Sequence, residues 1–209
     1  MIQSDFDGTL TEGDMALITL DYFTDKKWRY LYDDYCNGKL GLDEFNSKAF
    51  GYVKASEQEF RKYSFEQMVI KPGCKELIET CRKKGIRFHI VSNGIVTYID
   101  AFIEKLGIGE IEFAAAKAIY DPSGMKSWYE NPDGERVLNG FKDSYTQRFK
   151  EQGYKIIYLG DGTSDFNASR MCDKVFACDD LEQVYIKNNL PYTKMAGLET
   201  VTEYINSIC

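Results

Sequence analysis

The chain has 209 residues, 44% of them hydrophobic and 28% charged, with a formal net charge of −7 and no basic run. That length supports a real core, burying roughly 70% of the unfolded surface, and the absence of clustered Lys or Arg argues against nucleic acid or an anionic membrane as partner. No apolar run approaches the ~18 residues of a membrane span. A small phosphorylated metabolite stays compatible, because its charge needs only a local metal or lysine. Cys36, Cys74, Cys81, Cys172, Cys178 and Cys209 show no CxxC spacing and read as reduced structural thiols. With no basic-then-apolar leader after Met1, the expectation is a cytoplasmic protein, monomer or homodimer.

In chain order, residues 1–5 predict a short buried strand ending in Asp5-Phe6-Asp7-Gly8-Thr9. From about residue 14 to 70 no strand pattern occurs; stretches 15–23, 27–35, 42–52 and 57–63 have helical spacing and are rich in Tyr and Phe. This predicts a small helical cap, residues 14–70, inserted after the first strand of a core formed by 1–13 and 71–209. The core alternates: helix 72–84 with Pro72 in its first turn and Gly85 at its end, strand 87–92, helix 96–106, strand 112–116, helix 142–152, strand 155–160, helix 164–171, strand 174–177. Strand then helix, repeated, predicts an α/β fold with a doubly wound, mainly parallel, Rossmann-like sheet. Residues 120–139, with two Pro and two Gly, interrupt the pattern as a loop or hairpin near the strand ends.

The acids fall where strands stop. Asp5 and Asp7 leave the first strand on the same side, at the carboxyl edge where ligands of such sheets bind. Two carboxylates 4 Å apart repel by roughly 4 kcal/mol at an effective dielectric near 20, so they need a shared proton or a cation such as Mg²⁺. Taken alone, Asp-Phe-Asp-Gly also reads as a turn. Three further signals follow strands or head helices in order: Ser92-Asn93-Gly94, Lys142, and Gly160-Asp161-Gly162-Thr163-Ser164-Asp165. The only histidine, His89, lies inside a strand and reads as a satisfied or edge-facing structural residue, so no His-based triad or zinc site can be built. Trp128 and Tyr129, on a polar loop, suggest gating or a dimer contact.

Together these pieces resemble the haloacid dehalogenase-like phosphohydrolases, whose order DxDGT, Ser or Thr, Lys, GDxxxD is matched over most of the chain. Within them the chain is similar to the phosphoserine phosphatase-like group, and above all to the enol-phosphate phosphatase of methionine salvage and the phosphocholine and phosphoethanolamine phosphatases. The stretches DFDGTLTEGD, Trp28 with Tyr35-Cys36-Asn37-Gly38 then Leu42 and Glu44, and GDGTSDFNASRMCDKVFA carry that likeness. The resemblance implies a Mg²⁺-dependent phosphatase in which Asp5 is the nucleophile and forms an aspartyl phosphate. Asp7 is then the general acid and base; Ser92, Asn93, Lys142, Gly8 and Thr9 hold phosphate; and Asp5, the Asp7 carbonyl, Asp161 and Asp165 serve the metal. Asp14, Arg29 and Arg61 are candidates for reading the leaving group. Asp14 stands where true phosphoserine enzymes have Glu, and their Ser-Gly-Gly is here Ser92-Asn93-Gly94. Two rival readings stay open: a phosphotransferase or mutase on the same framework, and a receiver-like phosphoacceptor module.

Overall fold

The computed structural model describes residues 1–208; Cys209 lies outside the described residues, and no disulfide links any two of the described cysteines. The chain opens with β1 (Ile2–Ser4) and continues through four helices, α1 (Met15–Phe23), α2 (Arg29–Cys36), α3 (Leu42–Phe50) and α4 (Glu57–Gln67). Then come α5 (Cys74–Lys83), β2 (Phe88–Ile95), α6 (Val96–Leu106), β3 (Glu112–Ile119), β4 (Lys126–Glu130), β5 (Arg136–Val137) and α7 (Phe141–Glu151). The last third holds β6 (Ile157–Gly160), a 3₁₀ turn at Thr163–Asp165, α8 (Phe166–Arg170), β7 (Lys174–Ala177), α9 (Asp179–Lys187), β8 (Thr193–Lys194) and α10 (Leu198–Ile208).

The strands form one sheet in the order β5-β4-β3-β2-β1-β6-β7-β8. From β3 to β8 all neighbours are parallel, while β4 and β5 add an antiparallel edge, so residues 120–139 hold a hairpin, one of the two forms expected from sequence, and continue β3 as a meander. The order reverses at β1, where β2 lies on one side and β6 on the other, and the crevice at such a switch point is where ligands of doubly wound sheets bind. Helices cover both faces through apolar stripes. On α5 the buried set is Cys74, Leu77, Ile78 and Cys81, and on α10 it is Leu198, Val201, Thr202 and Ile205, each with the i, i+3, i+4, i+7 spacing of one helix face.

The helical segment α1–α4 leaves the sheet and returns to it at one place. Thr11 and Ile70 form an antiparallel bridge, the Glu12 amide donates to the Val69 carbonyl at 2.8 Å, and the Lys71 amide donates to Leu10 at 2.9 Å. Inside that segment α4 starts with a capping box: Ser56 accepts from the Glu59 amide while the Glu59 carboxylate accepts from the Ser56 amide.

His89 departs from its sequence reading. It lies in an interior strand, is 8% exposed, and neither ring nitrogen is hydrogen-bonded; Nδ1 only approaches Glu112 Oε2 at 3.4 Å. Its neighbours are the rings of Tyr145 and Phe149 on α7. Burial, with the Arg87 charge adding to it, pushes its pKa down to about 4, so it is a neutral core residue.

Candidate active site

Asp5 follows β1, and its amide donates to the Leu159 carbonyl of β6 at 2.9 Å, so the neighbouring strand fixes its backbone. Asp161 is the first residue past β6, and Asp165 ends the 3₁₀ turn behind it. One carboxylate oxygen from each of Asp5, Asp161 and Asp165 lies within 4.8 Å of the others. Between Asp5 and Asp165 sits Lys142, in the first turn of α7 and 3% exposed, whose Nζ donates to Asp5 Oδ1 at 2.6 Å and Asp165 Oδ1 at 2.7 Å. Asp165 is fully occupied: Tyr158 also donates to Oδ1 at 2.7 Å, and the Asp161 and Gly162 amides donate to Oδ2 at 3.2 and 3.1 Å. Of the acids assigned to a metal from sequence, Asp165 is also the one that anchors Lys142 and the loop that carries Asp161.

Burial, then the Asp165 charge, raise the Asp5 pKa well above the carboxylate range, with Lys142 pulling it back. Asp161 is raised to about 6 by burial and then by Asp165. For Lys142 burial works downward, but the Asp165 and Asp5 charges outweigh it and raise its pKa above the ordinary lysine value. Three close carboxylates against one ammonium are short of positive charge. A donor set made only of carboxylate oxygens, two with elevated proton affinity, fits a hard divalent cation such as Mg²⁺.

Gly8 and Thr9 take a different part from the phosphate contacts assigned to them. Their amides are spent inside the turn, on Gly13 and Phe6, and the Thr9 hydroxyl donates to Asp161 Oδ1 at 2.8 Å. Gly8 has φ +74°, and a Cβ there would run into the Asp161 carboxylate, so the glycine lets the turn pass beside that acid. The Lys71 ammonium holds the Gly8 carbonyl. By contrast, the Phe6 and Asp7 amides donate to no acceptor among the described residues.

Asp7 is held by the Met15 amide at 2.8 Å on Oδ1 and by the Tyr98 hydroxyl at 3.0 Å on Oδ2. Burial and then the charge of Asp14 raise its pKa well above the ordinary aspartate value, the direction that suits a general acid. Asp14 caps α1, accepting from the Leu17 amide at 2.9 Å. On the other side β2 slips register between Val91 and Ile95, and this irregularity holds Ser92-Asn93-Gly94. The buried Ser92 Oγ accepts from the Gly94 amide at 2.9 Å.

Asn93 is gripped from two elements. Its side-chain amide donates to Asp43 Oδ1 of α3 at 2.5 Å, and its carbonyl accepts from Asn46 Nδ2 of α3 at 3.0 Å and from the Tyr129 hydroxyl of β4 at 2.5 Å. Tyr129 is thus a buried tie between the meander and the loop after β2, not a gate or a dimer contact. Trp128 stays in the meander, its Nε1 donating to Glu130 at 2.7 Å under the Arg136 guanidinium. Asp43 and Asn46 were not singled out from sequence. Their signal is two buried polar residues at i, i+3 on the face that also buries Phe45, Ala49 and Phe50. Tyr98, in the first turn of α6, and Tyr158, two residues before Gly160, lie beside the motifs but read from sequence as ordinary core aromatics.

A cavity of about 260 Å³ spans Asp5, Asp7, Asp14, Ser92, Lys142 and Asp161. A second, of about 160 Å³, shares Tyr35, Leu42, Asn93, Lys142, Thr163 and Ser164 with it and reaches Asp43 and Asn139. Asp14 is on the wall, but Arg29 and Arg61 are not: Arg29 pairs with Asp21 at 2.9 Å and Arg61 with Glu104 at 2.5 Å, both at the outer surface. Those two leave the list of leaving-group readers, because salt bridges outside the cleft hold them.

The family model of the haloacid dehalogenase-like hydrolases matches residues 2–170 of the chain. Among curated relatives, the 2-hydroxy-3-keto-5-methylthiopentenyl-1-phosphate phosphatase of Brevibacillus brevis is 23% identical over 98% of this chain and 94% of its own length. The protein of that name from Geobacillus kaustophilus is 27% identical over 92% and 89%. Among solved structures, a phospho-aspartyl intermediate analogue of phosphoserine phosphatase superposes with TM-score 0.72 at 17% identity, covering 97% of both chains. Phosphoserine phosphatase from T. onnurineus gives 0.71 at 20% identity, over 100% of this chain and 95% of that one. These two show a shared fold.

Proposed function

The chain belongs to the haloacid dehalogenase-like hydrolases, and on that premise we propose that it is a Mg²⁺-dependent phosphatase of a small phosphate monoester. The observation that carries the proposal is the pairing of two differently held acids: Asp5 tied to the buried Lys142 ammonium, and Asp7, two residues on, held by the Met15 amide and the Tyr98 hydroxyl. Asp5 attacks phosphorus, the bond from phosphorus to the leaving-group oxygen breaks, and the Asp7 proton goes to that oxygen. Asp7, now a carboxylate, takes a proton from water as the water oxygen attacks phosphorus. Breaking the acyl-phosphate bond then frees inorganic phosphate and restores Asp5.

Lys142 aligns Asp5 and opposes the charge of the phosphoryl oxygens, while the Ser92 hydroxyl and the open amides of Phe6 and Asp7 are the donors that would hold them. Asp5, Asp161 and the Asp7 carbonyl would hold Mg²⁺, which when bound supplies further positive charge against those oxygens. Tyr98 and the Met15 amide orient Asp7. The cap over the cleft limits water entry. The curated relatives are named for an enol phosphate, which makes that ester the first to assay. With Mg²⁺ and p-nitrophenyl phosphate the protein should release inorganic phosphate without any acceptor alcohol, which a pure phosphotransferase or a receiver-like module would not do. Asp5→Asn should abolish release; turnover that survives it would overturn the assigned nucleophile.

A further inference from the structure

We infer that Asp43 is a specificity-determining residue that accepts a hydrogen bond from the leaving group, and that the substrate is a phosphate ester whose alcohol carries a hydroxyl or ammonium donor and no carboxylate. The inference rests on the phosphatase reading above. It starts from an orphaned atom. Asp43 is 3% exposed, its Oδ1 accepts from Asn93, and its Oδ2 makes no hydrogen bond of good geometry, although the Phe141 backbone amide is near enough to favour the carboxylate. A buried carboxylate oxygen without a donor is costly enough that native structures rarely leave one unfilled without a reason. Asp43 lines the second cavity, which continues from the one over Asp5 and holds about 160 Å³, room for about five waters at ~30 Å³ each. A donor on a leaving group entering that space would complete the carboxylate.

The charge of the walls points the same way independently. Besides the acids of the reaction, the two cavities are lined by Asp14, Asp43, Asp143 and Asp180. Lys142 is the one basic residue on either wall among the described residues, and it is already bonded to Asp5 and Asp165. The cap's Arg29, Lys39, Lys48 and Arg61 are paired with Asp21, Asp34, Glu44 and Glu104. A carboxylate on the leaving group would find no counter-ion and four repelling acids, whereas a hydroxyl or ammonium would find acceptors.

The test is a set of phosphate esters on one three-carbon frame: glycerol 1-phosphate, 3-aminopropyl phosphate, propyl phosphate and 2-carboxyethyl phosphate, with p-nitrophenyl phosphate as reference. For the wild type, kcat/KM for at least one donor-bearing ester should exceed that for propyl phosphate by about 10- to 100-fold, the range for a hydrogen bond to a charged group. The carboxylate ester should be the poorest of the four. Comparing the glycerol and aminopropyl esters tells hydroxyl from ammonium. In Asp43→Asn the donor-to-propyl ratio should collapse towards one and the carboxylate-to-propyl ratio should rise, since the amide offers a donor in place of an acceptor. Loss of Asn93 positioning alone would lower all four esters together and leave both ratios unchanged, which would overturn the assignment. A wild-type preference for the propyl or carboxylate ester overturns it without any variant. If p-nitrophenyl phosphate itself gives no phosphate, it is the phosphatase reading that falls; if it is hydrolysed while the ratios stay flat, only the role of Asp43 falls.

Discussion

Two sets of ion pairs in this molecule are alike in distance and opposite in consequence. At the sheet edge Lys142 lies 2.6 and 2.7 Å from Asp5 and Asp165, with side-chain exposures of 4%, 8% and 0%. At the surface, away from the cleft, Arg29 lies 2.9 Å from Asp21 and Arg61 of α4 lies 2.5 Å from Glu104 of α6, with side-chain exposures between 31% and 58%. Water screens the second set, and pairs of that kind contribute little. The first is desolvated, so each partner depends on the others, and removing one leaves an uncompensated charge. Proximity alone therefore says little about function; proximity without water does.

The largest effect should follow from breaking the buried set. Lys142→Met leaves Asp5 and Asp165 as neighbouring buried carboxylates, at an expected cost of about 3–5 kcal/mol of stability, the range for removing one partner of a buried pair. For a chain of this size that is a fall of roughly 10 °C in Tm, at about 2–4 °C per kcal/mol. Phosphate release should drop on the order of 10³-fold, because both the alignment of Asp5 and the charge facing the phosphoryl group are lost. Calorimetry and a phosphate-release assay on one preparation check both; a stable variant with near wild-type turnover would show that the pair holds neither the fold nor the nucleophile.

Next in size is a buried group with no partner. His89 titrates at about 4 in the fold, against 6.5 for an ordinary histidine. Between those values the unfolded chain binds the extra proton, so stability due to this residue is intact above pH 6.5 and falls as the pH drops to 4, by about 3 kcal/mol. Asp43 works in the opposite sense, because its carboxyl, raised by burial to about 6, favours the folded state as it protonates. The whole-protein profile therefore blends the two. Urea unfolding of wild type and His89→Phe from pH 7 to 4 isolates the histidine: the variant should gain on the wild type steadily as the pH falls, and parallel curves would mean that His89 is solvated in the fold.

What the sequence revealed of this site and what it hid divide along the same physical line. Asp5, Asp7, Lys142 and Asp161 come together at one cleft because each lies just past a strand or at the head of a helix, where backbone direction sends side chains to the carboxyl edge, while Ser92 reaches it from the register slip inside β2. The alternation of strands and helices gave the sheet for the same local reason, up to β7; α9, β8 and α10 went unread, although α10 carries a plain i, i+3, i+4, i+7 stripe. Tyr98, Tyr158, Asp43 and Asn46 reach the site only through long-range packing, such as the 91 residues between Tyr98 and Asp7. Thr9 and Gly8 were placed near the right spot but on the wrong partner, since no local pattern tells a phosphate contact from a bond to Asp161. Arg29 and Arg61 failed because the partners that hold them outside the cleft are read only in three dimensions.

Tyr98→Phe tests the middle of the range. The hydroxyl donates to Asp7 Oδ2 at 3.0 Å, a bond that favours the carboxylate form and fixes the orientation of the acid. Removing it should lower kcat about tenfold, the equivalent of the roughly 1.4 kcal/mol that a bond to a charged group contributes. The Asp7 pKa should rise, moving the limb of the kcat profile on which Asp7 must be ionised to higher pH, while KM changes little. A fall in kcat with an unmoved profile would make Tyr98 a packing residue only.

The smallest effect belongs to the exposed pairs, and it is the sharper half of the contrast because it predicts an absence. In Arg29→Ala the guanidinium leaves Asp21, which keeps its bond from Trp28 Nε1 at 2.9 Å and its access to water, so no buried charge is stranded. In Arg61→Ala, Glu104 is 58% exposed and solvates freely. Neither arginine lines the cavities beside Asp5. Both variants should therefore match the wild type in urea midpoint, in kcat, and in the ratio of kcat/KM between any two esters, at low as well as high salt. If either changed that ratio, the cap would have to present its outer face to the substrate at some stage of turnover, and the pairs that look equal only in distance would turn out to be equal in consequence as well.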